Sequence, residues 1–161
     1  MSEIADLLER FRRGGELLAM SMTGAAGAEL DYVPEPGRWS VRQIICHLAD
    51  AELVGGMRFR QMIAEDRPTL QAFDEKLWAA NLDYQKRKAS HVIETFRRIR
   101  GENYDLLKDL PEETFERVGI HSERGPMALL DMLRIYTNHA EKHAMQLSAV
   151  RAAYKQAKAK Q

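Results

Sequence analysis

Apolar residues return every three or four positions over most of this chain, and a period near 3.6 is the signature of amphipathic helices. Ile4, Leu7, Leu8, Phe11, Leu18 and Met22 mark a first helix over residues 2–22, although Gly14 and Gly15 weaken its middle. Three glycines and two prolines in TGAAGAELDYVPEPGRW (residues 23–39) then break the pattern. Ser40-Val41-Arg42-Gln43 fits a capping box, with Trp39 placed to staple the entry, and opens a second helix reaching residue 65. Its inner stripe is Ile44, His47, Leu48, Ala51, Val54 and Arg58.

A long connection follows, with one short helix expected over residues 74–80. Val92, Phe96, Ile99, Asn103, Leu106 and Leu110 mark a third long helix that Pro111 ends. Pro126 is placed for the first turn of a fourth, whose inner face runs through Met127, Leu130, Leu133, Tyr136, His139, Ala140, His143 and Leu147. Residues 114–120 are the one strand candidate, and the basic tail from residue 155 is expected to fray. Four long helices in 161 residues predict an all-α fold, a four-helix bundle forming a single domain over residues 1–161. The connection between helices two and three is long enough to travel the length of a helix. Those two helices can therefore run parallel, which gives an up-down-down-up order.

Charge and composition exclude several classes of partner. Twenty-four basic residues balance 24 acidic ones, so no cationic excess is available for nucleic acid or an anionic membrane surface. No apolar run approaches a membrane span, and the opening MSEIADLLERFRR lacks the basic-then-apolar profile of a signal peptide. With Cys46 as the one cysteine, an internal disulfide is ruled out and a reducing, cytoplasmic setting is expected.

The chemistry concentrates in NHAEKHAMQL (residues 138–147), where His139 and His143 stand four apart. On a helix that spacing offsets two side chains by about 40° and about 6 Å, so both rings can aim a nitrogen at one divalent ion. His47, mid-stripe on the second helix, is the candidate for a third ligand. A histidine on an inward face is also a common core residue hydrogen-bonded to a neighbour, so spacing alone leaves both roles open. A zincin arrangement is excluded, because Ala140 occupies the position where that motif has its glutamate, and Glu141 lies about 200° round the helix from His139. His91 and His121 read as structural or surface groups, with the loop carrying His121 able to reach one end of the bundle.

WSVRQIICHLADAE (residues 39–52), FDEKLW (73–78), RVGIHSERG (117–125) and NHAEKHAMQL, taken in order, resemble the DinB-like superfamily. The closer likeness is to its branch of metal-dependent hydrolases, related to thiol S-transferases. The resemblance implies a four-helix bundle, often a homodimer, with a divalent metal on three histidines that map onto His47, His139 and His143. It implies a metal-dependent hydrolase that activates water, or alternatively a low-molecular-weight-thiol-dependent S-transferase using the same metal. A non-enzymatic metal-binding stress or scaffold bundle is the other class. The implied partner is a small-molecule substrate, a thiol among the options.

Three imidazoles leave coordination positions open, as catalytic sites do, and zinc, nickel and iron all accept such ligands. Asp50 borders the face of His47 and is a candidate base, with an exposed ion pair as its alternative. Tyr136, a turn from His139, is a candidate donor to an oxyanion, with a core ring as its alternative. Arg58 is the one inward cation the pattern offers, and Asn103 either supports the site or is a buried amide. Cys46 lies about 100° from His47 round the helix and reads as a small buried hydrophobe.

Overall fold

In a computed structural model, the described residues, 2–161, form five α-helices and a three-stranded sheet. The helices are α1 (Glu3–Ser21), α2 (Val41–Ala64), α3 (Glu75–Asn81), α4 (Ala89–Leu107) and α5 (Leu129–Ala159). The strands are β1 (Thr69–Leu70), β2 (Val118–His121) and β3 (Gly125–Ala128). The expected local signals are present. Ser40 Oγ accepts the N–H of Gln43 and Gln43 Oε1 accepts the N–H of Ser40, closing the capping box of α2. Asp74 Oδ1 accepts the N–H groups of Lys76 and Leu77 and so starts α3.

Contacts between helices fix their directions. Arg134 reaches Glu3, Arg10 reaches Glu141, and Arg151 donates to the carbonyl of Ser21, so α1 and α5 ascend together. Arg42 donates to the carbonyl of Arg87, Arg100 to Glu52, and Arg60 to Asn103, so α2 and α4 are parallel as well. The His47 ring meets that of His143 while Gly55 meets Tyr136, which makes α2 and α5 antiparallel. The bundle is therefore up-down-down-up over α1, α2, α4 and α5.

Two apolar clusters fill it. Leu18, Ile44, Ile45, Phe96 and Leu147 belong to one, and Leu7, Phe11, Phe59, Leu107 and Leu133 to the other. A buried ion pair lies where they meet: both terminal oxygens of Glu52 accept from Arg100, at 2.9 and 2.8 Å, and Asn103 Nδ2 adds a third bond at 3.0 Å. The Arg100 guanidinium also stacks on Phe11 at 3.9 Å from the ring centroid. Gly14, a weak residue for mid-helix, has a packing reason here. A Cβ at that position would lie 2.4 Å from Arg100 Nη1.

Two expectations change, and a bundle that is helical as expected gains a small sheet: residues 118–128 form a β2–β3 hairpin, β2 overlapping the strand candidate at residues 114–120 and also pairing in parallel with β1. Two residues of β1 and the sequence Gly125-Pro126-Met127-Ala128 are too short and irregular to show a period of two, so pairing creates these strands. Pro126 lies in edge strand β3 instead of the first turn of the last helix, a place where its missing N–H costs no ladder bond. The first turn of α5 is closed instead by Asp131, whose Oδ2 accepts the N–H of Ala128. Finally, α5 stays helical to Ala159, with Tyr154 packed edge-on against Tyr32 at 5.4 Å. Among the described residues no helix is long and apolar enough to cross a membrane.

Candidate metal centre

The parallel order of α2 and α4 sends residues 65–88 back along the bundle, and this return places Phe73 and α3 against the gap between α2 and α5. A cavity of about 730 Å³ lies beneath, with His47, His139, Arg58, His121 and Tyr136 in its lining.

The three histidines meet at its wall, to which His47 and His139 contribute directly. His47 Nε2 is 2.9 Å and His143 Nε2 is 3.1 Å from His139 Nε2. Ligand atoms about 2.0–2.1 Å from one cation are separated by about 3 Å from one another, so the spacing is that of a ligand set. Protons satisfy it poorly. A neutral imidazole nitrogen carries either one hydrogen or one lone pair in the ring plane, so His139 Nε2 can satisfy one of its two contacts but not both. A single cation serves all three. Among the described residues, these are the one cluster of three or more histidine, cysteine or acidic side chains with ligand spacing.

The surroundings keep the rings neutral, the state in which an imidazole can take a metal ion. Burial, reinforced by its two neighbouring imidazoles, lowers His139 to a pKa of about 3, and burial with the nearby His143 lowers His47 to about 4. Burial also lowers His143, against the opposing pull of Gln146. All three are neutral at pH 7. His143 Nδ1 donates to Gln146 Oε1 at 2.7 Å, which fixes the tautomer and leaves the Nε2 lone pair facing the cluster. Among the described residues His47 Nδ1 is buried without a partner that would set its tautomer; its ring is instead held against Trp39, 5.0 Å away, and Phe73. Replacement of Gln146 by Ala is expected to weaken metal binding roughly 10–100-fold, read by chelator competition, because the orienting bond is lost. An unchanged affinity would assign the orientation of His143 to packing.

The remaining sequence candidates separate cleanly. Asp50 accepts from Tyr84 at 2.7 Å and Arg87 at 2.9 Å, so its carboxylate is committed away from the imidazoles. Tyr136 lines the cavity with its hydroxyl on Arg58 Nη1, and burial raises its pKa to about 12, keeping it a neutral phenol. Asn103 belongs to the Glu52 pair, Glu141 is taken by Arg10, and His91 is exposed. Cys46 is buried with its thiol pushed up to about 11, mainly by desolvation, which suits a packing residue. The carboxylate that does face the site is Glu75, its Oε2 3.6 Å from His47 Nε2. The neutral state of His47 means this contact is not an ion pair. Sequence reasoning missed Glu75 because it opens a short helix, where no periodicity points it inward.

Comparison with known proteins agrees with this geometry. Two proteins carrying the name "Putative metal-dependent hydrolase" align with most of the chain. One, from Oceanobacillus iheyensis, is 28% identical over 134 residues, 83% of this chain and 77% of its own. The other, YfiT from Bacillus subtilis, is 28% identical over 117 residues, 72% and 66% respectively. The solved structure of Bacillus subtilis YfiT, described as having "an unusual four-helix bundle topology", superposes with a TM-score of 0.89 at 22% identity, over 96% of this chain and 90% of that one. It shares the fold. The model of the DinB superfamily matches residues 10–147, which contain the capping box, Glu75 and all three histidines, and the chain belongs to that superfamily.

Proposed function

We propose that the protein is a metal-dependent hydrolase of small molecules, with one divalent ion held by His47, His139 and His143. The observation that carries this reading is the convergence of three neutral Nε2 atoms at 2.9 and 3.1 Å at the wall of an open cavity. The names of the aligned relatives support the same chemistry. A divalent ion held by these three histidines would supply Lewis-acid chemistry toward water and a substrate oxygen. Zinc, nickel and iron(II) all suit imidazole ligands.

The chain's own residues supply the remainder. Glu75 Oε2, beside His47, accepts the proton of the attacking water and returns it to the leaving group. Its position at the N-terminal end of α3, on the segment covering the cavity, leaves it reachable from solvent for proton exchange. Phe73 and Trp78, packed at 4.6 Å, keep that segment against the site. Asp50, with both oxygens bound elsewhere, is not needed for this role.

The test is a panel of chromogenic esters and amides offered to protein loaded with each metal in turn. The Glu75→Gln variant is expected to lose roughly 10²–10⁴-fold in kcat at unchanged metal content. Loss of metal together with activity in Glu75→Gln would instead make Glu75 a fourth ligand. A metal-loaded protein that turns over nothing in the panel would favour a non-enzymatic metal-binding bundle.

A further inference from the structure

Arg58 is 8% exposed, yet among the described residues it has no carboxylate partner. Its Nη1 donates to the Tyr136 hydroxyl at 3.2 Å and its Nη2 to the carbonyl of Gln71 at 2.6 Å, both neutral acceptors, while its Nε is buried without a partner. A buried guanidinium ordinarily has a counter-ion. Arg100 in the same bundle shows the ordinary case, with both oxygens of Glu52 on it.

Two neighbours on the same cavity wall share this condition. His121 Nδ1 accepts the backbone N–H groups of Glu123 and Arg124 at 3.2 and 3.1 Å, so in the neutral ring the proton sits on Nε2. That N–H has no acceptor among the described residues. The Tyr136 oxygen accepts from Arg58, but its own O–H has no acceptor there either. Burial together with the nearby Arg58 and Arg124 lowers the pKa of His121, which keeps it a neutral N–H donor. The wall thus presents one unpaired cation and two free donors to the cavity. The acids at the rim do not compensate it. Asp74 caps α3, Glu75 faces His47, and Glu123 is exposed with no ion pair to Arg58.

We infer that the wall formed by Arg58, Tyr136 and His121 binds an oxyanionic group of the substrate, a carboxylate or a phosphate, and holds the bond to be cut toward the three histidines. Charge-assisted bonds from guanidinium, phenol and imidazole N–H are the donor set such a group takes. The orientation toward the histidines rests on the hydrolase reading, whereas the anion site itself does not. In this view Arg58 is left unpaired because the substrate supplies its counter-ion, and the stability given up returns on binding.

The two readings are separated by measuring anion binding without metal. Succinate and inorganic phosphate are titrated separately, by calorimetry and by thermal shift, into metal-free native protein and into the His139→Ala/His143→Ala variant. One of the two anions is expected to bind saturably and to raise Tm in both proteins, and the one that binds tighter assigns the group as carboxylate or phosphate. Arg58→Met is expected to weaken that anion at least tenfold and to unfold at a higher temperature than native protein when no anion is present. Tyr136→Phe, which deletes one hydroxyl from the same wall, is expected to weaken it about threefold or more, and it carries the test if Arg58→Met does not fold. Binding in native protein that neither variant weakens would overturn the inference, as would no saturable binding of either anion. Native protein that takes up no zinc, nickel or iron(II) yet still binds the anion would sink the hydrolase reading and leave the anion site standing.

Discussion

Produced without an affinity tag, the protein is expected to carry close to one divalent ion per chain, and its His139→Ala/His143→Ala variant less than about a tenth of that, by elemental analysis. The reason is geometric. The double substitution leaves His47 alone, and one imidazole does not hold a divalent ion against water. Substitution of His47 by Ala leaves the pair on α5, which retains a weaker site. Native chains that stay empty after incubation with zinc, nickel and iron(II) would return the three histidines to a core role and remove the proposed function.

The same burial that keeps the three histidines neutral sets a pH dependence. In the folded, metal-free chain His47 and His139 take up protons only near about 4 and about 3, whereas unfolded imidazoles do so near 6.5. Between those limits the unfolded state binds more protons, so stability is complete above about 6.5 and falls as pH drops toward about 4. For His47 alone, at 1% exposure, the loss is on the order of 3 kcal/mol over that window. Urea midpoints of metal-free protein at pH 7 and pH 5 measure it, and equal midpoints would contradict the effect.

The second large effect is expected at the centre of the bundle. Arg100→Met should cost about 3–5 kcal/mol, because it leaves the Glu52 carboxylate buried with Asn103 as its one side-chain donor. For a domain of this size that corresponds to a fall in Tm of roughly 10 °C. The Glu52→Met/Arg100→Met double variant should recover most of the loss, since two apolar side chains then fill the junction between the clusters. Urea unfolding of the four proteins gives the coupling directly. Additive losses would show that Arg100 acts through its stacking on Phe11 and its bond to the carbonyl of Phe11 instead of through Glu52.

Much of this was legible in the residues. The inner stripes of α1, α2 and α5, the capping box at Ser40, the short helix after Asp74 and the pairing of His139 with His143 rest on local patterns that survive without tertiary information, whereas on α4 the expected Leu106 is exposed and Leu107 is buried in its place. The up-down-down-up order followed from a chain-length argument, since a connection of that length reaches the far end of a helix. The sheet did not, because β1 and β3 become strands by pairing with β2 and carry no period of their own. Glycines tell the same story. Gly14 reads as a weak point of its helix, yet a Cβ there would meet Arg100, and a Cβ at Gly55 would lie 2.5 Å from the ring of Tyr136.

The sequence by itself placed most of the inner-face side chains, His47, His139 and His143 among them, and erred on α4, where Leu107 and Arg100 turn inward and Leu106 is exposed. Only the tertiary structure decided which carboxylate meets the histidines. Asp50 and Glu75 were both available, and the packing of Tyr84 and Arg87 took the first while the return of residues 65–88 delivered the second. It also decided that Arg100 finds Glu52, 48 residues away, while Arg58 finds no anion. The physical reason is that the direction of a side chain around its own helix is set by the backbone repeat. Its partner depends on how that helix is rotated and slid against the next, which the whole core settles together.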